Sequence, residues 1–355
     1  MKFEMNNARK DTNVNAELRK NSPVVEVFSA LVQGKAISSI QAADKAVEYI
    51  KGLGERANNG DNSAVVELNQ IRRFAIEPIV LEEARVLDVF GGYQAVGIDE
   101  RIERETYDTV GGGARGQALN GDVPFAQIKR VIYPVETTTI SAGFAADYRR
   151  LALGDMEKEN YGLAQVRTEI MNGAAAYVMN KIYEAIKNAT GVKFFAESAG
   201  ITRAALDNVI GKVRRFGPAN ILGAYPVISQ INAFANWTNS NFNGISDVAM
   251  EEIRQNGLLD RYNGAIVREV PAYYDNHLLN AAGDDFKPIL PLGLLFILPQ
   301  GQNAPVMTWT RGGLTTFTGN DVTTGHVLTR FDIEVAADVA KGQEYKIGLL
   351  NDTNL

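Results

Sequence analysis

Cysteine is absent from these 355 residues, which excludes disulfides, thiol catalysis and cysteine-based zinc sites together. Histidine is nearly absent: His277 and His326 stand in separate loop-like stretches, with no His-Glu-x-x-His spacing and no third ligand to complete a metal site. No run approaches the roughly 18 apolar residues that a membrane crossing needs. The greasiest stretch, Leu290 to Leu298, is short, is broken by Pro291 and Gly293, and reads as a buried strand. Met1 to Asn7 lacks the apolar core of a signal peptide. No Gly-x-Ser-x-Gly nucleophile turn or Walker phosphate loop occurs, so nothing specific speaks for an enzyme and no cofactor is expected. A basic excess is missing too. The formal charge of −6 argues against a dedicated nucleic-acid binder while leaving contact with DNA open. Residues 1 to 22 hold a slight local excess of base and read as a solvated tail.

What is present is an ordinary globular composition, 45% hydrophobic and 22% charged, long enough for two modest cores. The first ninety residues read as a helical arm with little that could form a large core. Ser38 and Gln41 have capping-box spacing, Ile40, Ala43, Val47 and Ile50 share a helical face, and Gly52 and Gly54 mark its end. Val65, Leu68, Ile71 and Ala75 repeat the pattern, Pro78 closes it, and Val80 to Phe90 adds a short helix. From Asp155 to Ala189, the series Leu163, Val166, Ile170, Ala174, Tyr177, Val178, Ile182 and Ile186 predicts one amphipathic helix about 50 Å long. Gly162 and Gly173 would permit a bend or close packing there. From about Gly200 an α/β domain follows, with Thr202 as a helix cap, helices over 226–234 and 247–255, and strands over 220–224, 265–270 and 294–298. Val327, Thr329, Phe331, Ile333 and Val335 alternate with more polar neighbours as in a half-buried strand, and Gln343 to Leu350 is expected as its partner. Trp237, Trp309 and the Tyr273-Tyr274 pair read as core aromatics in preference to interface ones.

Between these parts lies a charge-laced arm, Ala95 to Tyr148. Seven of the eleven residues from Ile98 to Asp108 are charged. The stretch reads as extended, because strand-forming sequence from Ile128 to Ile140 returns from the tip Gly111-Gly112-Gly113-Ala114-Arg115-Gly116. Each limb of about 12 residues would span roughly 40 Å. The tip matches the dinucleotide-binding glycine pattern, yet that motif needs a buried strand before it and a helix after it. Here a charged segment precedes, and Gly121 and Pro124 follow. An isolated ribbon without an apolar face is not stable in water, so the arm must find partners, and sister copies are the simplest. The contact candidates are Glu100, Arg101, Glu103, Arg104, Glu105, Gly112, Arg115, Lys129 and Arg130. A single exposed ion pair contributes only about 0 to 1 kcal/mol, but symmetry repeats it.

The order of helical arm, charged loop with a glycine tip, spine helix, α/β domain and terminal strands resembles the major capsid protein of tailed bacteriophages, the Hong Kong ninety-seven type. The passage from Ala142 to Tyr148 into the spine helix carries the resemblance, as does Asn256 to Gly264 before the strand Ala265 to Val270. The resemblance implies an α+β phage major capsid fold: an N-terminal arm (1–90), an extended β-hairpin loop (91–145), a peripheral domain with the spine helix (146–199), an α/β axial domain (200–300) and terminal strands returning to the peripheral domain (301–355). It further implies self-assembly into hexamers and pentamers of an icosahedral shell around double-stranded DNA, without sequence-specific binding and without catalytic turnover. The implied partners are further copies, a scaffolding protein, a portal and decoration proteins, with no membrane. The implied place is the virion capsid, assembled in the host bacterial cytoplasm. Some members of that family crosslink through a loop lysine; Lys129 is the only lysine in the loop and lies away from the tip, so crosslinking is not expected. An encapsulin nanocompartment shell and, from another class, a nucleotide-dependent soluble enzyme stand as alternatives.

Overall fold

A computed structural model of the chain describes residues 23–32, 40–113, 116, 125–153, 157–234, 257–270, 274–280, 283–300, 304–320 and 326–355. The chain opens with helices α1 (Pro23–Val32), α2 (Ile40–Asn58) and α3 (Asn62–Ala84), then a 3₁₀ turn, Arg85–Phe90. Strand β1 (Tyr93–Val96) precedes the hairpin β2 (Glu103–Gly111) and β3 (Ala126–Pro134), followed by β4 (Thr138–Ala146), α4 (Tyr148–Ala152) and α5 (Glu157–Lys187). Next come β5 (Phe194–Ser198), α6 (Arg203–Val213), β6 (Ala219–Gly223), α7 (Tyr225–Phe234), β7 (Arg261–Tyr262), β8 (Ala265–Glu269), β9 (Tyr274–Leu279), β10 (Phe286–Pro288) and β11 (Leu294–Pro299). Two long strands, β12 (Val306–Asn320) and β13 (Val327–Val339), and the short β14 (Gly348–Asp352) end it. The fold is α+β, and its contacts divide it into two compact units. One holds residues 1–86, 139–173 and 312–334, and the other the remainder.

In the first unit the N-terminal helices form a packed core, contrary to the expectation of an arm with little to bury. Ala46, Ile50, Leu53 and Ala57 recur at helical spacing along α2, and all four are buried. Helix α2 runs on through Gly52 and Gly54. At Gly54 the backbone of α4 comes so close that a Cβ would lie 3.0 Å from the Ala152 nitrogen. That glycine serves close packing and does not end the helix. Pro78 likewise sits inside α3. It removes one i−4 hydrogen bond, but Ile79, Val80 and Ala84 beyond it are buried and hold the last turns in place. Phe144 of β4 presses on Gly162, where a Cβ would fall 2.8 Å from the ring, and Ile140 presses on Gly173 at 2.9 Å. Both glycines of the spine helix therefore mark close contact with β4. A buried polar knot ties the unit together: the Arg72 guanidinium donates to Glu159, to Asn69 Oδ1 at 3.1 Å and to Thr329 Oγ1 at 3.2 Å, and lies over the Phe144 ring.

The spine helix α5, Glu157–Lys187, ends two residues before the expected Ala189, and the expected start at Asp155 lies outside the described residues. Leu163, Val166, Ile170, Ala174, Val178, Ile182 and Ile186 are all buried, and its 31 residues rise about 46 Å.

The second unit is built on a six-stranded sheet of order β5-β14-β11-β6-β8-β7. Strands β6 and β11 are wholly buried. Leu206, Val209, Ile210 and Val213 of α6 and Val227, Ile228 and Ile231 of α7 pack on Ile221, Leu295, Ile297 and Leu350 of the sheet. Thr202 caps α6, its hydroxyl accepting from the Ala205 amide at 3.4 Å. Asn263 and Gly264 take φ of 47° and 76° in the turn joining β7 to β8, the two positive values that a primed hairpin turn requires. The expectation for the chain's end is corrected here. Gln343 to Leu350 does not pair with Val327 to Val335: a 3₁₀ turn occupies Glu344–Lys346, and β14 inserts between β5, in parallel, and β11, antiparallel. The terminal residues thus complete the α/β sheet. Trp309 is buried with Ile102 and Ala336. The expected helix 247–255, Ser38 of the capping box, Trp237 and Tyr273 lie outside the described residues, as does the side chain of His277.

Candidate assembly surface

Strands β2 and β3 pair antiparallel over nine residues each, from Glu103 opposite Pro134 to Gly111 opposite Ala126, about 27 Å end to end. They form a sheet of their own, with no third strand among the described residues. Side chains directly opposite share a face. One face carries Arg104, Thr106, Asp108 and Val110 with Tyr133, Val131, Lys129 and Gln127; the other carries Glu105, Tyr107 and Thr109 with Ile132, Arg130 and Ile128. At the tip Gly111, Gly112 and Gly113 adopt φ of 75°, 82° and 124°. The next described element is the returning strand β3, so among the described residues no helix follows the glycine pattern to present a pyrophosphate.

Among the described residues the ribbon is anchored at its base. Ile102, Arg104 and Thr106, two apart along the chain, are buried at 3%, 7% and 8% exposure. Arg104 differs from the expectation of a free contact residue. Its guanidinium turns inward, donating to the carbonyls of Asp338 at 2.8 Å, Pro305 at 2.8 Å and Ala304 at 3.3 Å, and it lies over the Trp309 ring. Burial pushes its pKa below the usual arginine value, against the pull of Asp338. Asp338 in turn is raised by burial, opposed by the Tyr133 hydrogen bond and by Arg104. The Tyr133 hydroxyl donates to Asp338 Oδ2 at 2.6 Å and accepts from the Lys341 amide at 3.2 Å. Burial and the Asp338 bond raise the phenol to about 12, above the roughly 10 of an unfolded tyrosine. The native state therefore favours the protonated phenol, so this stabilisation is complete below about pH 10 and is lost as pH rises through about 12. Melting temperature should fall across that window, and Tyr133→Phe should flatten the fall and remove one late phenolate step from the absorbance titration.

Towards the tip the ribbon is open to solvent. Glu105 accepts from Arg130 at 2.6 Å and from the Tyr107 hydroxyl, and these bonds hold its carboxyl down at about 2. Arg101 lies 3.7 Å from Glu103, and Glu100 accepts from the Gly97 amide at 3.3 Å. Lys129 is exposed opposite Asp108. Gly112 packs so near Ala126 that a Cβ would lie 2.7 Å from that residue's own Cβ. Arg115 lies outside the described residues. The charges thus pair largely within the ribbon. What the sequence reading missed is apolar: Tyr107, Ile128 and Ile132 stand exposed on the face bearing Glu105 and Arg130, at 59%, 73% and 47%. The first limb is as polar as expected, but the return limb brings a hydrophobic stripe. Among the described residues no His, Asp or Glu cluster could hold a metal ion, and no helix is long and apolar enough to cross a membrane.

Among the described residues, then, the ribbon is held at its base and carries an exposed apolar stripe beyond it. Residues 4–351 match the family described as SPbeta prophage-derived putative capsid protein YonB, and the chain belongs to that family. It is a phage-type capsid protein. No curated protein sequence matches it. Among solved structures it is similar to the head of Helicobacter pylori bacteriophage KHP40, at 11% identity and a TM-score of 0.48 over 73% of this chain and 87% of that one. It is also similar to Microbacterium phage Oxtober96, at 11% and 0.47 over 74% and 90%, and to a virus-like particle from Pyrococcus furiosus, at 10% and 0.44 over 78% and 97%.

Proposed function

We propose that this capsid protein is the major shell subunit of a tailed-phage particle, assembling through its ribbon into hexamers and pentamers that close around double-stranded DNA. The observation that carries this reading is the exposed stripe Tyr107, Ile128 and Ile132 on a ribbon that has no third strand among the described residues. An exposed apolar stripe of this kind offers a surface that a second molecule can bury. The net charge of −6 suits a container that holds DNA without gripping it. Assembly in the host bacterial cytoplasm, with a scaffolding protein, a portal and decoration proteins, completes the proposal. Electron microscopy of the expressed protein tests it, and shells or capsomers are the expected result. Nuclease-protected nucleic acid inside particles supports the phage reading, and an enzyme cargo in its place would favour a nanocompartment. A chain that stays monomeric with and without scaffold contradicts both.

A further inference from the structure

Strand register brings several connecting segments to one end of the six-stranded sheet. Strands β5 and β14 run parallel and start together, β6 and β8 do the same, and β11 runs against β14 and β6. The starts of those four strands and the end of β11 therefore lie side by side, with β5 and β6 about 15 Å apart across three strand spacings. Contacts between the segments agree. Lys193 Nζ donates to the Lys187 carbonyl at 2.8 Å, the Lys212 ammonium lies 5.0 Å from the Phe194 ring centre, the Phe216 and Tyr345 rings meet at 5.3 Å, and Arg214 donates to the Asn263 carbonyl at 2.8 Å.

This end is basic. Lys187, Lys193, Arg214 and Arg215 are exposed there, and Lys212 and Lys346 are half-buried. Elsewhere Arg72, Arg130, Arg167 and Arg330 each meet a carboxylate, but among the described residues none of these six cations forms an ion pair. Burial lowers the Lys346 pKa with no carboxylate to offset it. Of the acidic side chains on the same segments, Asp207 is held by Arg203 at 3.5 Å and by the Tyr262 hydroxyl at 2.9 Å, which leaves Glu184 and Glu344 to oppose the six. The opposite end of the sheet carries Glu197, Glu269 and Asp352 against Arg268. Helix dipoles account for a cation at the last turn of α5 or of α6 taken singly. They do not account for both helix ends meeting Lys346 at one end of the sheet.

We propose that this basic end faces the interior of the shell and binds the phosphate backbone of the enclosed duplex DNA. This rests on the shell reading above and adds to it the face that meets the DNA. A duplex carries one charge per about 1.7 Å of its axis, so a patch of this width meets several phosphates at once. Each subunit offers few cations on a chain of net charge −6. The contact is therefore shallow and indifferent to sequence, and the DNA can still slide.

Full-length subunits titrated with a fluorescent duplex of mixed sequence, over about 50 to 200 mM salt, provide the test. Lys193→Gln with Arg215→Gln removes two exposed charges and should weaken binding at least about tenfold at the low-salt end, while lowering the slope of log affinity against log salt by about two. Lys51→Gln, in the other compact unit, should leave both nearly unchanged. Circular dichroism checks that each variant is folded. In DNA-filled particles, formaldehyde should join Lys187 and Lys193 to the DNA. An unchanged slope in the double variant, or crosslinks confined to other lysines, overturns the DNA face and leaves the shell reading standing. Binding to poly-glutamate and not to duplex, lost in the same double variant, gives the face to an acidic protein segment and also overturns the proposal. A chain that never forms particles overturns the shell reading itself.

Discussion

Arg72→Ala is expected to destabilise the subunit by about 3–5 kcal/mol, the cost of leaving a buried charge without its partner. The Arg72 side chain is wholly inaccessible and that of Glu159 is 4% exposed, so solvent cannot replace the lost bond. The same deletion strips donors from Asn69 and Thr329. Against a typical domain stability of about 5–15 kcal/mol, the variant should be largely unfolded or insoluble. Arg72→Lys should not rescue it, because an ammonium's three donors radiate from one nitrogen and do not reach acceptors placed around the separate nitrogens of a planar fork. Arg72→Met with Glu159→Leu should recover most of the loss, since removing both charges also removes their desolvation cost. Guanidinium unfolding of dissociated subunits measures all three variants. A loss below about 1 kcal/mol for Arg72→Ala would place the pair in the class of exposed, screened bridges.

That knot also shows where a sequence becomes unreadable. The spine helix was legible because one face of it is buried, and burial imposes the apolar period from Leu163 to Ile186. Spacing places Arg72 on the buried face with Leu68 and Ala75 and leaves Arg73 beside it with a side chain 38% exposed, but an arginine on that face does not reveal the carboxylate and hydroxyl that meet it from elsewhere in the chain. Proline and glycine misled for a related reason. Pro78, Gly52 and Gly54 carry strong local preferences for ending a helix, but Ile79, Val80 and the backbone of α4 outweigh them through contacts made elsewhere in the chain. Strand β14 was recognisable as a strand, while its neighbours were not, because an alternating pattern states that a face is buried and is silent on which edge is paired. In the ribbon, the charge count of Ile98 to Asp108 hid a usable signal. Ile102, Arg104 and Thr106 alternate in step with the apolar Ile102, which marks the inward face and would have taken Arg104 out of the free contact set. The stripe on the return limb was equally visible as Ile128, Arg130 and Ile132, since residues two apart share a face.

Ile128→Asp combined with Ile132→Asp is expected to abolish shell formation while leaving the subunit folded. Both side chains are already exposed in the single chain, and such surface changes usually shift stability by no more than about 0.5 kcal/mol. In the assembly each isoleucine would contribute about 1.5–3 kcal/mol on full burial, so the pair amounts to about 3–6 kcal/mol per contact. At about 1.4 kcal/mol per factor of ten, the equilibrium constant of every contact should fall at least a hundredfold, and the two introduced carboxylates add their own desolvation cost. Because a closed shell repeats the contact, these losses compound, and particles should vanish at any practical concentration. Lys129→Ala, on the opposite face of the ribbon, changes one exposed charge and should assemble nearly as wild type. Circular dichroism with thermal melting reads the fold, and sedimentation with electron microscopy reads the assembly. Unchanged melting without particles is the expected result. Particles of the double aspartate variant at the wild-type threshold would mean that this stripe faces solvent in the shell, and that the subunits meet through another surface.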